Sequence, residues 1–298
     1  MFRTPILKNS ECKNRIKILI CKEFGTKNIF PFLQVFGRFL NLKVMDIRIV
    51  PCGFLKVQAL EMIKPLSLDR IREKYMVDRE GNMKLAMNAL LVREGERNIL
   101  MDPGTAGFLP ARLKQEYGFE IPLDLEDVLT GHGVDPGDIT DVLFTHLHFD
   151  HGSGAFKRVP GAIVKRFPNA RYHVLKAHYD YALRPDPVEA GSFSTALLKR
   201  LDQIHWLEDW DLEWMTFRIV NGHTRGMVVP VIETGKGWCY FLSDLVPMEI
   251  FMDRETWCGY DLDPQLVLQE KQEFLQNLPP GSRLIFFHDT LKESVFYE

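Results

Sequence analysis

The order of secondary-structure patterns predicts a mixed α/β domain of the layered α+β kind. Strand patterns cluster first, helical patterns follow, and strands and a helix return, which departs from the strict alternation of a parallel barrel. The composition agrees, with 46% hydrophobic and 26% charged residues, ordinary globular values that exclude collagen, coiled coil and bulk disorder. A length of 298 residues allows one large domain or a pair.

Taken in order, residues 1–44 stand apart. They hold nine basic residues and two acidic ones, a charge of +7, which leaves −3 − 7 = −10 for the remainder. This stretch reads as a basic extension of uncertain order, or as sequence upstream of a true first residue at Met45. A targeting peptide is the alternative, but the stretch is Lys-rich, Ser-poor and lacks a small-residue cleavage site after a long apolar run. From 45 to 298 the pattern is that of a folded domain. DIRIVPC (46–52) alternates as a strand. NALLVREGERNILMDPG (88–104) reads as two strands joined by a polar turn. DVLFTH (141–146) is a short buried strand by its β-branched and aromatic content. ARYHVL (170–175), MTFRIV (215–220), VVPVIET (228–234), WCYFLSD (238–244) and RLIFF (283–287) are further strands. Residues 176–183 and 194–202 are helical candidates. The clearest helix lies within 263–280, where Asp263 suits the N-cap, Pro264 the first turn, and Pro279-Pro280 the stop. Val267, Phe274, Leu275 and Leu278 would share its buried face.

The chemistry is concentrated in Thr145-His146-Leu147-His148-Phe149-Asp150-His151-Gly152. Three imidazoles and a carboxylate occupy six positions just past a predicted strand. Such side chains are the ligands that zinc, manganese or iron accept. A polar loop of surface histidines is the alternative, and composition alone seldom produces such a cluster. His132, His173, His178 and His205 have no ligand partner at useful spacing and are assigned surface or core-edge roles. The aromatic run 205–214 reads as core packing or a cavity wall.

This H-x-H-x-D-H pattern resembles the signature of the metallo-β-lactamase-fold hydrolases. Further motifs follow in the same order: NILMDPG (98–104), NGHTRGM (221–227), FLSDLVP (241–247) and FFHDT (286–290). The resemblance covers about residues 45–298. It implies an αββα sandwich of two mixed β-sheets flanked by helices, with a metal site along one edge. It also implies a binuclear centre: His146, His148 and His223 on one divalent ion, Asp150, His151 and His288 on the other, and Asp244 between them. Zinc is the first expectation, with manganese, iron or cobalt as alternatives. Asp102 is either an orienting carboxylate or a plain turn residue.

Within the superfamily the chain resembles the lactonase-like subgroup, of the acyl-homoserine lactonase and methyl parathion hydrolase type. The carriers are His288-Asp289 and the set Trp257, Tyr260, Asp261 and Pro264. Pro247 stands where the homoserine lactonases have a tyrosine three residues after the bridging aspartate, and Met227 follows the Gly-His-Thr-x-Gly segment. The implied function is metal-assisted opening of a lactone or related carboxylic ester, with Asp150 and Asp244 taking part in catalysis. Residues 205–214 and 245–260 would form an apolar wall. The alternatives are a phosphotriester hydrolase on the same site and a non-hydrolytic metal-binding protein. The expected partner is a small-molecule substrate, with no nucleic acid because the globular part is acidic, and no membrane because no apolar run approaches a span. A homodimer stays open. Five scattered cysteines without a C-x-x-C pair point to a reduced, cytoplasmic setting.

Overall fold

The hydrophobic runs that open the domain become long strands. The computed structural model describes residues 45–298, so the basic stretch 1–44 lies outside the described residues. The strands are β1 (Asp46–Gln58), β2 (Ile63–Lys64), β3 (Asn82–Glu94), β4 (Arg97–Met101), β5 (Asp141–Leu143), β6 (Phe156–Val159), β7 (Ala162–Lys165), β8 (Arg171–Val174) and β9 (Ile204–Trp206). They continue as β10 (Met215–Val220), β11 (Met227–Glu233), β12 (Trp238–Phe241), β13 (Trp257–Cys258), β14 (Arg283–Ile285) and β15 (Ser294–Phe296). One sheet has six strands in the order β1-β3-β4-β5-β8-β9, and a second has five in the order β10-β11-β12-β14-β15. Both sheets are mixed, as expected. β4, β5, β8 and β9 run parallel, while β3 is antiparallel to β4. In the second sheet only β12 and β14 are parallel.

β3 is buried along nearly its whole length, including Leu90, Leu91 and Val92. A strand covered on both faces needs such a continuous apolar run, and each large aliphatic side chain removed from water contributes about 1.5–3 kcal/mol. The sheets are joined by backbone as well as by side chains. The Ala86 and Asn88 amides donate to the His288 and Phe287 carbonyls at 3.0 Å each, and the Val228 amide donates to the Thr145 carbonyl at 3.0 Å. These bonds lie beside the predicted metal-binding residues, so the seam between the sheets fixes them.

The strands expected at 141–146, 238–244 and 283–287 end earlier, at Leu143, Phe241 and Ile285. The polar residues beyond have left the ladders and turned toward one another. The helix expected at 194–202 is a single turn, Thr195–Leu198. The helix Pro264–Gln276 forms with Asp263 accepting from the Leu266 amide at 3.1 Å. Its inner face departs from expectation: Phe274 is only half-buried and packs edge-on against Tyr240, and Lys271 is fully buried. The Lys271 ammonium donates to the carbonyls of Asp253, at 2.6 Å, and Thr256, and so anchors the strap that leads into β13.

Replacing Lys271 by Met preserves length and apolar packing but leaves both carbonyls unpaired. Hydrogen bonds to a charged donor are worth about 1.5–3 kcal/mol each in net terms. The variant is expected to lose about 3 kcal/mol in a urea melt, with an unchanged slope; a loss below about 1 kcal/mol would rule out the anchoring role.

Candidate metal centre

The ends of parallel strands supply the site. Asp102 follows β4, His146 and His148 follow β5, Asp244 follows β12, and His288 follows β14. Asp150 and His151 sit on the helical turn Phe149–Gly152, and His223 lies in the loop between β10 and β11. All seven residues singled out from the sequence come together. His146, His148 and His223 form one group and Asp150, His151 and His288 another, with the donor atoms inside each within 4.8 Å. Asp244 lies between: its Oδ2 is 3.2 Å from His223 Nε2, and its Oδ1 is 3.4 Å from His151 Nε2 and 3.6 Å from His288 Nε2.

Each imidazole is held by its other nitrogen. His151 Nδ1 donates to Asp102 at 3.0 Å, His223 Nδ1 to Asp261 at 2.8 Å, and His288 Nδ1 to the Ala86 carbonyl at 2.8 Å. His148 is reversed: its Nε2 donates to Glu189 at 3.0 Å, so Nδ1 faces inward. For His146 the partner is Thr145. The single Thr145 hydroxyl proton goes to Asp102 at 2.5 Å, so that oxygen accepts from His146 Nδ1 at 3.0 Å. These hydrogen bonds leave one nitrogen of each of the five rings facing the hollow. His148 Nδ1 and His223 Nε2 then stand 3.2 Å apart, lone pair against lone pair, a contact that calls for a cation or a proton. His146 Nε2, His151 Nε2 and Asp244 Oδ1 are buried without a hydrogen-bond partner. The donor chemistry, the convergence and these orphaned atoms fit divalent metal ions.

Asp102 also falls in a possible ligand group with His146 and His151. Its oxygens are already engaged by the Thr145 amide at 2.8 Å, the Thr145 hydroxyl and His151 Nδ1, so it serves as the holder of His151. Asp102 and Ser243 both have φ of 47°, left-handed backbone that non-glycine residues seldom adopt. Both contact the Thr145 hydroxyl, Ser243 at 2.8 Å, so the strain sits where the centre is pinned. At Gly222 a Cβ would stand 2.4 Å from the Val267 nitrogen, so only glycine lets the His223 loop lie on the Pro264–Gln276 helix. Glu270 of that helix fastens the loop, accepting from the Asn221 and Gly222 amides at 2.7 and 2.9 Å.

The electrostatics divide the cluster. Burial, reinforced by neighbouring imidazoles, holds His146 well below the usual histidine range, and burial lowers His148. Burial opposes charge on His151 and His223 too, but Asp244 and the carboxylates beside them raise both. Burial would raise Asp244, yet His151, His288 and His223 drive it well below the carboxylate range.

Beside the donors lies a cavity lined by Leu55, Val57, Met62, Leu85, Phe149 and the Tyr117 and Tyr260 rings, among others. Burial raises both phenols, Tyr117 to about 12, so they remain neutral donors. No residue of the 205–214 run lines it, which corrects the expected wall: β9 is the edge strand opposite β1, which does line the cavity, and Trp210 and Trp206 pack against His173 and Tyr179. Of 245–260 only Cys258 and Tyr260 take part.

Several working residues carried no sequence signal. Glu189 lies 41 positions from His148, in a loop without a motif. His178, assigned to a surface or core-edge role, is fully buried; its Nε2 accepts from the Leu147 amide at 2.9 Å and its Nδ1 donates to the Arg225 carbonyl at 2.7 Å. It therefore joins the His146-His148 loop to the His223 loop. His173 is buried on Asp141 at 2.8 Å, at the opposite end of β5, and His205 is exposed. Asp289, noted only as part of a signature, is a staple: it accepts from the Tyr75 hydroxyl and from the Glu249, Leu291 and Lys292 amides.

Comparison with known proteins bears on the family and the fold. Residues 84–240, more than half of the chain, match the family described as Metallo-beta-lactamase superfamily. A stretch of 61 residues is 39% identical to the N-acyl homoserine lactonase AttM of Azorhizobium caulinodans, covering 20% of each chain. A stretch of 67 residues is 37% identical to the AttM lactonase of Agrobacterium fabrum, covering 22% of each. The matched stretches thus span about a fifth of these relatives. Among solved structures, a probable metal-dependent hydrolase from Staphylococcus aureus superposes with a TM-score of 0.74 at 19% identity, over 85% of this chain and 92% of that one. AidC, a dizinc quorum-quenching lactonase solved with a product, gives 0.69 at 20% identity over 85% and 92%. At these identities the structures establish the shared fold.

His178 makes the scaffold acid-sensitive. Burial lowers it to about 4 from an unfolded value near 6.5, so the unfolded chain takes up its proton first. Its contribution to stability is complete above pH 6.5 and is lost as pH falls toward 4. In chelator, between pH 7.5 and 4.5, the parent should lose about 2–3 kcal/mol more than His178→Asn in urea melts. Equal losses would show that this ring is not held neutral.

Proposed function

Because the chain belongs to the metallo-beta-lactamase superfamily, we propose that it is a metal-dependent hydrolase that opens a lactone or a related carboxylic ester. His146, His148 and His223 would hold one divalent ion, Asp150, His151 and His288 a second, and Asp244 both. Two ions held there would supply Lewis acidity toward a carbonyl oxygen and would lower the pKa of bound water. Zinc suits the imidazole-rich donor set.

The chain's own groups account for the rest. Asp244 presents one oxygen to each donor group, so it sets their separation. Asp150, at 14% the most exposed of the donor side chains, has Oδ2 3.5 Å from His288 Nε2. That position lets it hand a proton from solvent to a leaving alkoxide, which lactone opening requires. The observation that carries the substrate class is the cavity that places an apolar wall beside the donors. Leu55, Val57, Met62, Leu85 and Phe149 would cover an acyl chain and exclude water, while the neutral phenol of Tyr260 would orient the ester group in place of the tyrosine that Pro247 replaces. The short match to N-acyl homoserine lactonases supports the same class. The buried free thiols Cys52, Cys239 and Cys258 suit a reducing compartment, and we assign the chain to the cytoplasm on that ground.

Elemental analysis of protein purified without chelator and then supplied with zinc should give two ions per chain, with or without residues 1–44, since every residue assigned to the ions lies at His146 or beyond. His148→Ala and Asp244→Ala should each lower turnover at saturating metal by more than a hundredfold, in line with the size of metal-supplied rate terms. Activity within tenfold of the parent in either variant would contradict the roles given.

A panel of lactones, phosphotriesters, thioesters and β-lactams decides the substrate class. The highest kcat/KM should fall on a lactone, with KM dropping by about tenfold for every two methylenes added to the acyl chain. A phosphotriester or thioester that surpasses every lactone would overturn the reading.

A further inference from the structure

We propose that Glu189 is a positioning residue that ties the 186–193 segment, and with it Ser192 of the cavity wall, to the inward-facing tautomer of His148. The inference rests on reading the donor group as a metal centre. Glu189 is only 5% exposed, a depth at which a carboxylate needs strong partners. Its Oε2 accepts from His148 Nε2, and its Oε1 accepts from the Tyr181 hydroxyl. The segment is stitched to the same point by its backbone. The Asp186 amide donates to the Tyr181 hydroxyl at 3.1 Å, the Glu189 amide to the Asp186 carbonyl at 3.2 Å, and the Ser192 amide to the Glu189 carbonyl at 2.9 Å. Phe193 forms a β-bridge with His148 and sets its ring edge-on, 4.7 Å away. Ser192, between these contacts, lines the cavity alongside His148.

Two consequences follow from elementary chemistry. With its proton on Nε2, His148 must turn Nδ1 inward, whereas His146, His151, His223 and His288 offer Nε2; the reversed ring depends on an acceptor placed where Glu189 stands. An imidazole whose free nitrogen is engaged by a cation becomes a stronger donor at the other, so the bond to Glu189 tightens. Occupancy of the His146-His148-His223 group is thereby coupled to the order of the 186–193 segment and to the shape of the wall that meets the substrate.

The test compares the parent, Glu189→Ala, Glu189→Gln and Tyr181→Phe, with and without zinc. Long-range proton–nitrogen NMR reads the His148 tautomer, hydrogen exchange reads the 186–193 amides, and chelator competition reads zinc affinity. The parent is expected to show the Nε2–H tautomer and slower exchange across 186–193 when zinc is added. Glu189→Ala should lose both and bind zinc roughly 10–100-fold more weakly. Glu189→Gln should keep the tautomer, because its amide oxygen accepts the same hydrogen. Tyr181→Phe, which leaves the His148 bond in place, should fold, keep the tautomer and lose part of the zinc-dependent protection. If Glu189→Ala retains the parent's tautomer and zinc-dependent protection, the proposal is overturned. A parent that binds no zinc overturns the metal reading instead, and the coupling with it.

Discussion

Five imidazole nitrogens and two carboxylates converge on one buried hollow, and the fold holds them there against their mutual repulsion. The closest approach, His148 to His223 at 3.2 Å, sets two lone pairs against each other. Such an arrangement persists only if each ring is gripped from behind. Asp102, Glu189 and Asp261 grip three rings by carboxylate, Thr145 grips His146 by hydroxyl, and the Ala86 carbonyl grips His288. Each grip fixes ring angle and tautomer together. The strained backbone at Asp102 and Ser243 is a further cost of the same constraint, about 1 kcal/mol for each left-handed residue.

The grips come from distant parts of the chain because the two sheets meet at this edge. Parallel strands deliver their ends to one side, and the bonds from Ala86, Asn88 and Val228 lock the sheets in register there. The loop bearing His223 would not reach the hollow unaided. Gly222 lets it lie against the Pro264–Gln276 helix, Glu270 fastens it, and His178 joins it to the loop after β5. Lys271, on the inner face of the same helix, secures the strap that brings in Asp261. Fold and site are therefore one set of interactions, and loosening any of these ties would move a donor.

This organisation explains which features the sequence revealed. The donors stood out because metal-binding groups at strand ends leave dense local patterns: four in the six positions from His146 to His151, and single residues in short motifs at 223, 244 and 288. Helix 264–276 was legible from its cap and its prolines. The grips were not, because each acts across a long loop. Glu189 has no local pattern, and His178 looks like any helical histidine. Lys271 broke the reading of its helix because hydrophobic periodicity places no cation on a buried face; only the two carbonyls opposite make it acceptable. The wall was misplaced at 205–214 for a related reason. Aromatic density reports burial, but sheet order decides where burial occurs, and β9 lies at the far edge.

The apolar wall and the charged hollow depend on each other. Leu55, Val57, Met62 and Phe149 line the cavity beside the donors, and an apolar wall lowers the local dielectric and strengthens charge interactions next to it. Without a cation this worsens the crowding of lone pairs and draws protons toward His151 and His223. Cations held by these donors would offset that repulsion, and ions that bind the folded chain far better than the unfolded one add directly to its stability. Donor burial, cavity polarity and the grips behind each ring therefore bear on one charge balance.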